Sequence, residues 1–160
     1  MDLTLSHRGD YVVRAAIALA RASTNGKYRK IRDVSREMEI PPAYTPQILG
    51  LLAHAGLAVA RAGRGGGYRL SRDPADITLV DVVQAGEGRL RPDHCTLRGG
   101  PCRWGKMCAL HPAWSSATNA FLDALGSITL ASVMNVDLAL GKGTFPIAVD
   151  SHKLHAAAVQ

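Results

Sequence analysis

AYTPQILGLLAHAGLAVARAGRGGGYRL, residues 43–70, is the stretch on which the fold turns. Its first half, 43–55, sets Ile48, Leu51, Leu52 and Ala55 at three- and four-residue spacings, the pattern of a helix with one buried face. Pro46 is compatible with that helix because it falls in the first turn, where its missing N–H costs no intrahelical bond. Tyr44, Thr45 and Gln47 are then left near the exposed N-terminal turn. In the second half, residues 57–61 and 68–70 flank AGRGGG, a glycine-rich turn that lets two short strands pair as a hairpin.

Toward the N-terminus, Ile40-Pro41-Pro42 closes a short helix expected over 31–38, and Asn25-Gly26 closes a longer one over 8–23. The longer helix carries Val12, Val13, Ala16, Ile17 and Ala20 on one face. The order is helix, helix, short turn, helix, hairpin, which is the winged helix-turn-helix arrangement. The second helix of such a motif enters the DNA major groove, and its N-terminal residues reach base edges. Tyr44, Thr45 and Gln47 hold that place, with Tyr44 equally readable as an aromatic at the edge of the core. Arg61, Arg64 and Arg69 lie on or beside the hairpin, whose glycines let the backbone approach phosphates or the minor groove. A plain tight turn with solvated arginines is the alternative.

Toward the C-terminus, residues 71–74 form a turn and 77–83 a short helix with Thr78 or Asp76 as its N-cap. Residues 112–125 place Trp114, Ala117, Phe121 and Leu125 on one apolar stripe, and 128–133 add a further turn or two of helix. A long amphipathic helix outside a small winged core needs a surface to cover it. A second copy of the chain is expected to supply that surface, because a two-fold dimer matches paired DNA half-sites; packing on its own domain is the alternative. The expected fold is mainly α: a winged helix-turn-helix domain over 1–85 with a two-stranded wing, a loop over 86–111, a dimerisation helix region over 112–135 and a flexible tail over 136–160.

Charge agrees with a polyanionic partner. The net charge is +6, with 12 Lys/Arg against 5 Asp/Glu in residues 1–72 and 7 against 8 thereafter, so the basic excess sits on the proposed DNA-binding half. MDLTLSHRGD lacks the apolar core of a signal peptide and no apolar run reaches membrane-spanning length, so a cytoplasmic location without membrane contact is expected.

All three cysteines fall in HCTLRGGPCRWGKMCALH, residues 94–111, spaced Cys95-x6-Cys102-x5-Cys108-x2-His111. An odd number of thiols in such a chain points to metal or redox chemistry rather than a disulfide framework. Gly99, Gly100, Pro101 and Gly105 let the segment wrap a centre, while Arg98, Arg103 and Lys106 favour thiolate. Three sulfur ligands plus one more satisfy either zinc or an iron–sulfur cluster, although the paired C-x-x-C ribbons typical of zinc are absent. His111 is the nearest fourth ligand, ahead of His94. Proximity of Cys108 and His111 along the chain does not build a nucleophile–base pair, so no enzymatic activity is expected.

The chain resembles the Rrf2 family of bacterial transcription regulators over residues 3 to about 134. The resemblance rests on LTLSHRGDYVVRAAIALA, IPPAYTPQIL with the following AGL, GRGGGYRL, ITLVDVVQA, and three cysteines followed by an amphipathic helix. It implies a homodimeric repressor or activator whose cluster is held by Cys95, Cys102 and Cys108 plus one non-cysteine ligand. His111 falls where the IscR-like branch has a histidine ligand to a [2Fe–2S] centre. Asp10 falls where the NsrR-like branch has an aspartate that reaches a [4Fe–4S] cluster from the other subunit. Two departures stand out. The first cysteine spacing is six where five is usual in those branches, and Ala62 replaces an arginine before the glycine turn, which moves the expected wing contacts to Arg61 and Arg64.

Overall fold

A computed structural model describes residues 4–23, 25–89 and 108–143. Its central strut is α1 (His7–Ser23), whose small side chains let other elements approach on every side. Ala15, Ala16, Ala18 and Ala20 are fully buried alongside Val12 and Leu19, and five other helices or strands pack on this helix. The single apolar face expected for this helix is therefore too narrow, because alanine is compatible with burial and exposure alike.

The chain turns after α2 (Ile31–Glu37) at Glu39, whose φ of 52° is left-handed, and drives Ile40 into the core. α3 (Thr45–His54) then buries Ile48, Leu49 and Leu52, while Ala55 beyond its end stays exposed. The hairpin follows as β1 (Ala58–Arg61) and β2 (Gly67–Leu70), antiparallel in a register running from Ala58 opposite Leu70 to Arg61 opposite Gly67.

After a 3-10 turn at Pro74–Asp76, α4 (Leu79–Glu87) opens on a reciprocal cap. Thr78 Oγ1 accepts from the Asp81 amide at 3.2 Å and Asp81 Oδ2 accepts from the Thr78 amide at 3.1 Å, which selects Thr78 over Asp76 as N-cap. α4 crosses α1 so closely that a Cβ on Gly86 would lie 2.8 Å from the Gly9 Cα. Glu87 fastens the same crossing, its Oε1 accepting from both the amide and the hydroxyl of Ser6 at 2.8 Å.

Two helices complete the described chain, α5 (His111–Gly126) and α6 (Leu130–Gly141). The corner between them is pinned to the start of α4: the Leu79 amide donates to Ile128 O and the Leu130 amide to Ile77 O, each at 2.8 Å. Leu130 is fully buried in the common core. One expectation is corrected here: the last helix runs to Gly141, into the stretch expected as a tail, and it packs on α1 of its own chain. Residues 90–107, with His94, Cys95 and Cys102, and residues 144–160 lie outside the described residues. Among the described residues no helix is long and apolar enough to cross a membrane.

Candidate nucleic-acid interface and cysteine site

The N-terminal turn of α3 sorts its three candidate base readers into two kinds. Tyr44 is 56% exposed and Gln47 is exposed beside it. Thr45 is fully buried, and its hydroxyl donates to the Pro41 carbonyl at 3.1 Å. The expected exposure of Thr45 is thus corrected: its side chain ties the turn between α2 and α3 and offers nothing to a groove. Across an open cleft of about 340 Å3, His7, Arg8 and Tyr11 of α1 line the other side from Tyr44, Gln47 and Ile48.

The wing is latched from below by residues 28–30. Arg29 and Tyr68 exchange backbone hydrogen bonds of 2.7 and 2.9 Å, and Lys30 donates its ammonium to the Arg64 carbonyl at the tip. Gly67, at φ 144°, presses against this latch, since a Cβ there would lie 2.2 Å from Arg29 O. The guanidinium carbons of Arg61 and Arg69 sit 5.0 and 5.2 Å from the centre of the Tyr28 ring, so one aromatic ring holds two wing cations. Arg61 and Arg64 are exposed. Sequence reasoning missed the latch, although the run Lys27-Tyr28-Arg29-Lys30, basic and aromatic just before α2, carried a readable sign of it.

At the cysteine end, Cys108 is half-buried with a free thiol, and its carbonyl accepts from the His111 amide at 3.1 Å. Cys108 and His111 therefore share one turn at the head of α5, with His111 half-buried. Asp10, in the first turn of α1, is gripped by the fork of Arg14: Nε donates to Oδ1 at 3.0 Å and Nη2 lies 2.9 Å from Oδ2. α5 itself has no buried residue, and Trp114 and Phe121 are each 39% exposed.

An exposed N-terminal turn on the second helix of a helix-turn-helix, beside a glycine-tipped hairpin bearing arginines, defines a winged helix-turn-helix DNA-binding protein. The Rrf2 model, described as an iron-dependent transcriptional regulator, matches residues 5–136, and the chain belongs to that family. An HTH-type transcriptional regulator of Neisseria meningitidis serogroup B is 32% identical over 132 residues, covering 82% of this chain and 88% of the relative. The regulator IscR of Cronobacter sakazakii is 29% identical over 133 residues, covering 83% and 81%. Among solved structures, T. potens IscR superposes with a TM-score of 0.66 at 26% identity, over 86% of this chain and 90% of that one. CymR, the global cysteine regulator of B. subtilis, is similar in fold, with a TM-score of 0.68 at 24% identity over 84% and 98%. The chain is a DNA-binding transcriptional regulator of the Rrf2 type, and its relatives are regulators rather than enzymes.

Proposed function

We propose that this regulator works as a homodimer whose operator affinity is set by an iron–sulfur cluster held by Cys95, Cys102 and Cys108, with His111 as fourth ligand. The observation that carries the ligand set is the pairing of Cys108 with His111 on one turn at the head of α5. Three thiolates and an imidazole make a donor set that suits such a cluster. Asp10 is the weaker candidate, because its carboxylate would first have to leave the Arg14 fork. When bound, the cluster supplies iron and sulfide that react with oxidants and nitric oxide. The chain's own part is to present Cys108 and His111 on the helix whose exposed Trp114 and Phe121 face would meet a second copy. Tyr44 and Gln47 would read base edges, and Arg61 and Arg64 would hold phosphates.

The test is anaerobic isolation with iron, sulfide and zinc counts and a visible spectrum. The wild-type chain is expected to carry iron and sulfide, Cys102→Ala to lose the visible absorbance, and His111→Ala to lose more of it than Asp10→Ala. Full retention of the chromophore in Cys102→Ala, or zinc in place of iron in the wild type, refutes the assignment.

A further inference from the structure

A line of alternating charges runs through the described chain from α6 to the wing. Arg21, in the last turn of α1, donates Nε to Asp137 Oδ2 of α6 at 2.9 Å and Nη1 to Glu37 Oε1 of α2 at 2.9 Å. The other Glu37 oxygen takes the Arg29 guanidinium. Arg29 in turn carries the two backbone bonds that hold Tyr68 of β2. The two ends of this line also touch the common core, through Leu130 of α6 and Leu70 of β2. α6 meets the base of the wing across a cleft of about 400 Å3, with Ala131 and Met134 on one side and Arg69 and Leu70 on the other.

The four side chains are between one-quarter and one-third exposed, so their attractions are only partly screened by water. Burial on its own would lower the Arg21 pKa, but the hydrogen bonds and charges of Asp137 and Glu37 outweigh it and hold the pKa above the ordinary arginine value. Each inner member is shared between two partners. Removing Asp137 takes from Arg21 its link to α6, while Glu37, its partner on α2, stays shared with Arg29. The planar fork of arginine can serve two carboxylates in fixed directions, which a lysine ammonium cannot reproduce.

We propose that Arg21 is a positioning residue for the DNA interface, tying α6 to the wing through Asp137, Glu37 and Arg29. A shift of α6 against α1 would then loosen the bridge under β2 and change how the wing presents Arg61 and Arg64. The proposal rests on the reading of the wing as a DNA contact, and the two can fail separately.

Amide hydrogen exchange on the full chain tests the link without DNA. In Asp137→Asn, exchange at Tyr68 and Arg29 should speed up by about threefold to tenfold, the range expected for coupled members of one ion-pair network. Core amides such as Leu19 and Leu52 should keep their rates, Asp137→Glu should restore the protection, and Arg21→Lys should fall between. Affinity for a duplex of about 30 base pairs, selected from a random pool by the wild-type chain, should drop by a similar factor in Asp137→Asn. Unchanged exchange at Tyr68, or equal acceleration at every amide, overturns the positioning role. If exchange at Tyr68 responds while Arg61→Ala leaves affinity unchanged, the wing is not a DNA contact and Arg21 does not serve that interface.

Discussion

Adding one methyl group at Gly67 tests the wing latch against its nearest control. A Cβ at Gly67 would lie 2.2 Å from Arg29 O and 2.7 Å from the Arg29 carbonyl carbon, backbone atoms already committed to Tyr68. Alanine also resists the φ of 144° found there, a strain of roughly 1–3 kcal/mol. If β2 withdraws instead, two backbone hydrogen bonds are lost at about 1 kcal/mol each. Alanine gives back about 0.5–1 kcal/mol by stiffening the unfolded chain. Either route leaves Gly67→Ala roughly 1–1.5 kcal/mol less stable, a fall in Tm of about 2–6 °C for a chain of this size. Gly65 lies two residues away in the same turn. A Cβ there would meet only the Arg61 Nη2 atom, at 3.4 Å, and that flexible end can move aside. Gly65→Ala should therefore be neutral within about 0.5 kcal/mol. Urea denaturation of both variants at one chain concentration decides the matter. Midpoint stabilities of the two variants within about 0.5 kcal/mol of each other would refute the reasoning, because the latch would then not constrain the wing.

Thr45→Val should cost about 1 kcal/mol of stability by removing the hydroxyl that holds Pro41 O, whereas Gln47→Ala should leave stability within about 0.5 kcal/mol and lower the preference for selected over random DNA by roughly tenfold. Denaturation and competition binding on the same pair of proteins check both, and a specificity loss confined to Thr45→Val would count against the assignment of the two residues. Replacing both Trp114 and Phe121 by Asp should shift the sedimenting species from dimer to monomer, since charges on a mostly apolar interface core are disfavoured; a dimer that persists would place the interface elsewhere.

The elements that could be read from sequence are those that local rules determine. Helix α3, the glycine turn of the wing and a cap at Thr78 or Asp76 depend on residues close in sequence, although the α3 stripe takes in the exposed Ala55 and misses the buried Leu49. Thr45 escaped because a hydroxyl at a helix start suits solvent or a nearby carbonyl equally well, and here the Pro41 carbonyl decides. α1 escaped in part because its alanines carry no directional sign of burial. The full length of α6 escaped for a related reason: its helix stays amphipathically vague, and what anchors it is Leu130 in a core built by distant segments. The pair Arg21 and Asp137 stands 116 residues apart, and no spacing rule reaches that far.

The described ends of the cysteine-bearing segment are anchored unequally, which bears on how a regulator of this type could transmit a change. On one side, α4 is locked to α1 through the Gly9–Gly86 crossing and the Glu87–Ser6 hydrogen bonds. On the other, α5 begins at His111 and buries no residue along its whole length. A force applied between two bodies displaces the one held by fewer buried contacts, so rearrangement of the thiols would move α5 and leave α4 seated on α1. α5 leads directly into the corner that the Leu130 and Leu79 amides pin, and from there into α6 with Asp137. On the proposed cluster reading the displacement would alter the exposed Trp114 and Phe121 face, where a second copy would pack, and would reach Asp137 and the charged line under the wing only by straining that pinned corner.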